Sequence, residues 1–143
     1  MDIPPKKYAV GYTAGVFDLF HIGHLNVLRR AKELCEFLIV GVNTDELVQE
    51  YKNKKPVIPF EERVAIVESI CYVDRVVGQS CRDKLSALND YKFDVLVVGD
   101  DWKGSLSYMK AEKELREKGI TTVYIPYTQN TSSTLLRGVL HSF

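Results

Sequence analysis

Cysteine is scarce in this 143-residue sequence, and the copies that are present form no recognisable pattern. Cys35, Cys71 and Cys81 are odd in number and include no Cys-x-x-Cys pair, which argues against a disulfide framework and against a zinc site. Unpaired thiols are typical of proteins in a reducing compartment. The sequence therefore predicts a cytoplasmic protein.

An excess of either charge is also absent. Lys and Arg total 19, as do Asp and Glu, so the chain has no overall basic field with which to hold nucleic acid. No apolar run is long enough to cross a membrane. The first seven residues contain two prolines and two lysines rather than the apolar stretch of a secretory signal. We expect one domain spanning residues 1–143, with neither nucleic acid nor a membrane as a partner.

Apolar, strand-like runs alternate with helical patterns along the chain. Strands are predicted at 8–13, 37–42, 73–77, 95–99 and 123–126, and helices at 22–34, 45–49, 60–70, 83–89, 109–118 and 133–140. This alternation predicts an α/β fold, a single Rossmann-like, doubly wound parallel sheet of five strands with helices on both faces. Right-handed crossovers would gather the loops that follow the strands at one edge, where such sheets bind ligands.

The loop after the first strand carries the strongest functional signal. It reads Gly15-Val16-Phe17-Asp18-Leu19-Phe20-His21-Ile22-Gly23-His24 and leads directly into a helix. The first N–H groups of a helix lack backbone partners and attract anions. His21 and His24 are three residues apart, so both rings should project to the same side of the opening turn. Gly23 has no Cβ and leaves room for a nucleotide. The loop therefore predicts a phosphate site.

A basic segment follows the second strand and its short helix. Lys52, Lys54 and Lys55 precede Pro56, and the segment ends at Pro59 without a helical or strand pattern. One interpretation is a solvated turn. The other is a loop that closes over a triphosphate and neutralises its oxygens.

Two later segments also lie at the predicted ligand edge. The first, Gly99 to Trp102, has adjacent carboxylates and a flat aromatic wall, although Asp100 could simply cap a turn and Trp102 could pack in the core. The second is the hydroxyl run from Thr131 to Thr134 at a helix start, with Arg137 one turn along. These hydroxyls can cap the helix or, with its free N–H groups, hold phosphates.

The His-x-Gly-His sequence at 21–24 resembles the signature of the nucleotidyltransferase superfamily. Gly15-Val16-Phe17-Asp18 and Gly99-Asp100-Asp101-Trp102 are similar to the cytidylyltransferase family, especially its glycerol-3-phosphate cytidylyltransferase branch. The resemblance extends from about residue 8 to residue 137. It implies transfer of a cytidylyl group from CTP to a phosphorylated alcohol, with glycerol 3-phosphate as the expected acceptor and CDP-glycerol and pyrophosphate as products.

The resemblance also implies roles for individual residues. Catalytic roles fall to His21, His24, Lys52 and Arg137. Nucleotide binding falls to Gly15, Val16, Phe17, Gly23, Asp101, Trp102, Thr131, Ser132, Ser133 and Thr134. Acceptor binding falls to Asp18, Lys54 and Arg63, of which Arg63 has bracing of the site as its alternative role. Mg²⁺ is expected to arrive with the triphosphate rather than in a protein metal site, and a homodimer is expected.

The chain departs from the family pattern at three positions. Tyr127 and Asn130 stand where the pattern R-T-x-G-[IV]-S-[TS]-[TS] has Arg and Gly, and Cys71 stands where relatives often have a basic residue. The run Ser-Ser-Thr-x-x-Arg ending at Arg137 also resembles the late motif of adenylyltransferases. An adenylyltransferase that uses ATP is therefore an alternative. So are a cytidylyltransferase for choline, ethanolamine or another polyol phosphate, and a non-catalytic module that binds nucleotide without forming product.

Overall fold

The computed structural model describes residues 6–99, 105–126 and 133–141. Its strands are β1 (Tyr8–Gly15), β2 (Cys35–Asn43), β3 (Arg75–Gln79), β4 (Val95–Gly99) and β5 (Thr121–Ile125). Its helices are α1 (Ile22–Leu34), α2 (Asp45–Lys52), α3 (Phe60–Glu68), α4 (Lys84–Tyr91), α5 (Leu106–Glu117) and α6 (Ser133–His141). None of the described helices is long and apolar enough to span a membrane.

The five strands form one parallel sheet in the order β3-β2-β1-β4-β5, which confirms the predicted α/β class and strand number. β1 lies between β2 and β4, so the chain winds first to one side of β1 and then to the other. The loops after β1 and β4 separate at such a switch point and leave a crevice. The register places Asn43 opposite Gln79 and Gly99 opposite Ile125, so neighbouring strands end level at this edge.

The sheet is buried on both faces because its strands are apolar on both sides. Leu38 and Val40 pack in one core cluster, while Ile39 between them packs in the other. This alternation is the period of two expected of a strand. The second cluster includes Tyr12, whose side chain is fully buried.

Several helix starts are fixed by side chains that accept a hydrogen bond from the first turn. Thr44 caps α2 by accepting from the Leu47 N–H, and Ser105 caps α5 by accepting from the Tyr108 N–H. The Ser105 cap explains why α5 begins at Leu106 rather than at the predicted residue 109. At the other end of α5, Gly119 has a φ of 81°, a left-handed conformation that suits glycine after a helix.

Two element boundaries differ from the sequence prediction in ways that affect the site. α2 continues to Lys52 and ends at Asn53, which has a left-handed φ of 54°, so Lys52 is helical rather than part of an irregular loop. β3 begins at Arg75, two residues late. The preceding Asp74 is instead fixed by its carboxylate, which accepts from the Leu38 N–H and pairs with Lys32 at 2.6 Å.

Candidate active site

A cavity of about 510 Å³ opens at the carboxyl edge of the sheet, at the switch point beside β1. It brings together most of the predicted site residues that the structure describes. Those lining it are Gly15, Val16, Phe17, Asp18, His21, Gly23, His24, Lys52 and Arg137. Lys54 is exposed and is not part of this lining.

The two histidines form the start of α1. His21 is the N-cap, and its Nδ1 accepts a hydrogen bond from the Gly23 N–H at 3.0 Å. The Nδ1 of His24 accepts in turn from the His21 N–H at 3.2 Å. The rings are stacked with centroids 4.0 Å apart, so they project to the same side of the turn as predicted. The Gly23 N–H is therefore used by an imidazole and is not free for an anion.

These contacts fix the proton on each imidazole. A nitrogen that accepts from an N–H carries no hydrogen, so the neutral ring must hold its proton on Nε2. Burial, together with the neighbouring His21, lowers the pKa of His24 to about 3. Burial also lowers the pKa of His21. At neutral pH the pair consists of two neutral rings, each with one Nε2–H donor.

The low histidine pKa values predict a pH dependence of stability. The unfolded chain takes up a proton near pH 6.5 while folded His24 stays neutral until about pH 3, so the free energy of unfolding should fall as pH drops through this window. The lowered pKa of Asp18 changes the free energy of unfolding mainly at pH values near and below 3.8, its ordinary pKa, and so has little effect in the range tested. Urea unfolding between pH 7 and 4.5 should therefore show a smaller decline for His24→Asn than for the wild type. An equal decline of the free energy of unfolding with pH in both proteins would show that His24 does not cause it.

A strained turn holds the histidines against the end of β1. Phe17 and Leu19 have φ values of 55° and 51°, a left-handed conformation that costs free energy for residues other than glycine. The turn folds Phe17 under the His24 ring at a centroid distance of 5.4 Å, and Phe20 packs on the same ring at 5.3 Å. Aromatic packing thus restricts the movement of His24.

Asp18 joins three segments at the cavity. Its buried carboxylate accepts from the N–H groups of Val57 and Ile58 at 2.7 and 2.9 Å, and it pairs with Arg137 of α6 at 2.6 Å. These donors hold the pKa of Asp18 low in spite of its burial. The family resemblance implies acceptor binding for Asp18, and in this structure the carboxylate anchors the segment after α2 and the arginine of α6.

Arg63 connects several segments around the cavity. The side chain is fully buried, so no part of the guanidinium is exposed to a ligand in this structure. It donates to the carbonyl oxygens of Ile58, Val16 and Asn43 at 2.7 to 2.9 Å. It also pairs with Asp45 at 2.6 Å. One side chain thereby holds the loop after β1, the end of β2 and the segment before α3.

Four cations line the cavity, against a single carboxylate among the described lining residues. Lys52 and Arg137 are accompanied by Arg82 and Lys84, which sequence reasoning missed. Burial lowers the pKa of Lys52, and the nearby positive charges of Arg137 and Lys54 lower it further. Burial likewise lowers the pKa of Lys84 to about 8, with Arg82 contributing. Like charges gathered in this way favour a multiply charged anion.

Comparison with known proteins identifies the family to which the chain belongs. Residues 12–139 match the family described as cytidylyltransferase-like. The chain belongs to the cytidylyltransferase-like family. It is 38% identical over 126 residues to the glycerol-3-phosphate cytidylyltransferase of Bacillus subtilis (strain 168), covering 87% of this chain and 92% of that protein. It is 35% identical over 130 residues to the protein of the same name from Staphylococcus aureus (strain NCTC 8325 / PS 47), covering 90% and 92%.

Solved structures with low sequence identity share the fold of this chain. A lipopolysaccharide core biosynthesis protein from Thermoplasma volcanium GSS1 aligns with a TM-score of 0.70 at 22% identity, over 87% of this chain and 99% of that one. The pantoate-beta-alanine ligase of Francisella tularensis, solved with beta-gamma ATP and beta-alanine, aligns with a TM-score of 0.63 at 13% identity, over 94% and 69%. These likenesses support the Rossmann-like fold alone.

The cavity has two chemically different halves. The half near β4 and β5 is mainly apolar and is lined by Leu96, Val97, Val98, Gly99, Ser107, Tyr108, Ala111, Ile125 and Pro126. The half near β2 and β3 is polar and is lined by Asn43, Tyr51, Lys52, Gln79, Arg82 and Lys84. The Lys84 ammonium lies 5.8 Å from the Tyr108 ring, so Lys84 stands between the two halves.

Some residues expected from the cytidylyltransferase resemblance cannot be placed. Asp101, Trp102, Thr131 and Ser132 lie outside the described residues, as do Tyr127 and Asn130. Ser133 and Thr134 begin α6, but their side chains are not among those described. Among the described side chains of the predicted late segment, that of Arg137 lines the cavity.

Proposed function

We propose that this protein transfers the cytidylyl group of CTP to glycerol 3-phosphate, forming CDP-glycerol and releasing pyrophosphate. The observation that carries the proposal is the cavity itself, in which two neutral imidazoles with fixed Nε2–H donors lie beside four cations. The names of the relatives from Bacillus subtilis and Staphylococcus aureus supply the nucleotide and the acceptor. The apolar half of the cavity suits the nucleoside, and the polar half suits a phosphorylated alcohol.

The proposed reaction needs neither a general base nor a covalent intermediate. The acceptor phosphate is already a dianion at neutral pH, because the second pKa of a phosphate monoester is about 6. One of its oxygens bonds to the α-phosphorus of CTP as the bond from that phosphorus to the β-phosphate oxygen breaks. The protein has to align two anions that repel each other and to stabilise charge on the equatorial oxygens. We assign this work to the Nε2–H donors of His21 and His24 and to the cations Lys52 and Arg137.

Mg²⁺ is proposed to enter with the triphosphate, whose charge it would neutralise. Among the described residues, no group of three or more His, Cys, Asp or Glu could hold a metal ion. The carboxylate of Asp18 is already occupied by two backbone N–H groups and an arginine. Phosphate oxygens and water would therefore supply the coordination that Mg²⁺ prefers.

The test is a panel of phosphate acceptors against two nucleotides. Purified protein with Mg²⁺ and CTP should release pyrophosphate and form CDP-glycerol with glycerol 3-phosphate, measured by ³¹P NMR, and should favour it over choline, ethanolamine and ribitol phosphates. ATP serves as the control nucleotide, because Arg137 and the preceding hydroxyls also resemble an adenylyltransferase motif. Turnover with ATP in preference to CTP would support that alternative. Nucleotide binding without any product would support a non-catalytic module.

Lys84 gives a second prediction for the reaction. It stands between the two halves of the cavity, where the acceptor phosphate would meet the nucleotide, and its pKa of about 8 means that it loses its charge in mildly alkaline solution. The kcat/KM for the acceptor should therefore fall above pH 8, approaching about tenfold per pH unit. Lys84→Met should lower kcat/KM at pH 7 and abolish this decline. An unchanged alkaline profile in the variant would exclude Lys84 as its origin.

The oligomeric state and the cellular compartment of the protein are also proposals. We propose a homodimer, because Leu106 and Met109 of α5 are 86% and 52% exposed and lie on one helix face, a surface that a subunit interface could cover. We also propose that the protein works in the cytoplasm. Its three cysteines are free, and Cys71 and Cys81 are exposed, which fits a reducing environment.

A further inference from the structure

A chain of hydrogen bonds leads from the core into the polar half of the cavity. The hydroxyl of Tyr12 donates to Oε1 of Gln79 at 2.7 Å. Nε2 of Gln79 donates to Oδ1 of Asn43 at 2.8 Å, and Nδ2 of Asn43 donates to the hydroxyl oxygen of Tyr51 at 3.0 Å. The proposed reaction assigns no role to any of these four side chains.

The buried end of the chain fixes its direction. Rotating both amides by 180° would reverse every bond, and Tyr12 would then accept from Gln79 and need another acceptor for its own hydrogen. Tyr12 is fully buried, with its ring stacked on Phe93 and Tyr91, and Gln79 is the only hydrogen-bond partner of its hydroxyl among the described residues. A buried hydroxyl without an acceptor is costly, so the forward direction is favoured.

The sequence makes room for this arrangement at one glycine. A Cβ on Gly41, in the neighbouring strand β2, would collide with the Tyr12 hydroxyl. Gly41 therefore allows a full tyrosine to lie between the sheet and α4 with its oxygen next to Gln79.

At the cavity end, the chain leaves one donor unused. The Tyr51 hydroxyl oxygen accepts from Asn43, so its own hydrogen is available, and no other described residue accepts it. Tyr51 is half-buried and lines the cavity. The guanidinium of Arg82 lies 4.6 Å from the Tyr51 ring centroid and the ammonium of Lys52 lies 5.7 Å from it. The unused O–H of Tyr51 therefore lies in the polar half of the cavity, which suits the acceptor.

We infer that Tyr51 is a specificity-determining residue, whose O–H donates to a hydroxyl oxygen of the phosphorylated alcohol. The inference rests on the proposed function and specifies which part of the acceptor is recognised. Glycerol 3-phosphate offers hydroxyl oxygens that can accept this hydrogen. A methyl or quaternary ammonium group has no lone pair and would leave the donor unpaired, so the site discriminates against acceptors without hydroxyls.

The first test removes the hydroxyl alone. Tyr51→Phe should lower kcat/KM for glycerol 3-phosphate about 3- to 10-fold, the typical effect of one neutral hydrogen bond. The KM for CTP should not change. Neither should the inhibition constant of propyl phosphate, which has the same phosphate but no hydroxyl. Tyr72→Phe, at a tyrosine outside the cavity lining, is the matched control and should have no effect.

The second test reverses the chain without touching Tyr51. In Gln79→Glu the carboxylate can only accept, so Asn43 must donate to it and present its oxygen to Tyr51. The Tyr51 hydroxyl then donates to Asn43 rather than to the substrate. The added negative charge repels glycerol 3-phosphate and propyl phosphate alike, so its effect cancels when the two are compared. The ratio of kcat/KM for glycerol 3-phosphate to the affinity for propyl phosphate should therefore fall about 3- to 10-fold, from the lost hydrogen bond alone. Adding Tyr51→Phe to this variant should lower the ratio no further.

The outcomes separate the inference from the function on which it rests. A wild-type protein that makes CDP-glycerol, with a Tyr51→Phe variant that is unchanged or loses affinity equally for both phosphates, overturns the inference alone. A wild-type protein that forms no CDP-glycerol from CTP and glycerol 3-phosphate overturns both. A selective loss in Tyr51→Phe, reproduced by Gln79→Glu, confirms Tyr51 as the residue that reads the acceptor hydroxyl.

Discussion

Replacing His24 by asparagine is expected to lower kcat about 100- to 1,000-fold while leaving the thermal stability close to that of the wild type. The Oδ1 of asparagine can take the place of Nδ1 and accept from the His21 N–H, so the start of α1 remains capped. What asparagine lacks is the donor at the position of Nε2. Steady-state pyrophosphate release and calorimetry on the same preparation would measure both quantities.

Glutamine at the same position is the matched control for this prediction. Its amide nitrogen extends about as far as Nε2 of histidine but leaves the His21 N–H without its acceptor. His24→Gln should therefore keep more turnover than His24→Asn and lose about 0.5 to 2 kcal/mol of stability with the cap. His24→Ala should lose both the cap and the donor. Wild-type turnover by a folded His24→Asn or His24→Ala protein would refute a transition-state role for this ring.

Arg63→Met is expected to lower the free energy of unfolding by about 3 to 5 kcal/mol. Methionine fills much of the same volume but leaves the carbonyl oxygens of Val16, Asn43 and Ile58 without their donor in a fully buried position. Asp45 loses its ion pair as well. The loop after β1, which carries both histidines, should also become less rigid. Activity should therefore be lower than that of the wild type even at temperatures at which the variant is still folded.

An exposed arginine provides the control for this effect. Arg116 on α5 is 73% exposed and lies 3.6 Å from Glu112 one turn away, so Arg116→Met should change the free energy of unfolding by no more than about 0.5 kcal/mol. Urea unfolding monitored by circular dichroism would compare the two variants. Similar small losses for both would show that the buried guanidinium is not needed as a brace.

Periodic apolar patterns were sufficient to predict the sheet, because strands covered on both faces and amphipathic helices each have a distinct period. Val95–Gly99 and Ile22–Leu34 have the predicted boundaries. The ends of α2 and β3 were less predictable. They depend on Asn53 adopting a left-handed conformation and on the contacts of Asp74 with Leu38 and Lys32, which no local pattern encodes.

The histidine pair could be predicted as a site because its parts are adjacent in sequence. Arg82 and Lys84 could not be predicted as site residues, since basic residues near a helix start usually indicate a solvated surface. Only the parallel pairing of β3 with β2 brings them beside Lys52. The chain from Tyr12 to Tyr51 was hidden for the same reason. Its second link, between Asn43 and Gln79, spans 36 residues and depends on the register of two strands.

The carboxylate of Asp18 has a consequence for energetic independence within the molecule. Arg137, 119 residues away in sequence, and the amides of Val57 and Ile58 share its two oxygens. A phosphate that draws the guanidinium of Arg137 away from Asp18 would thereby change the hydrogen bonds that this carboxylate accepts from Val57 and Ile58. Substitutions in that segment and in α6 should thus have non-additive effects on stability. The segment before α3 and the helix α6 therefore each contribute to the free energy of unfolding of the other.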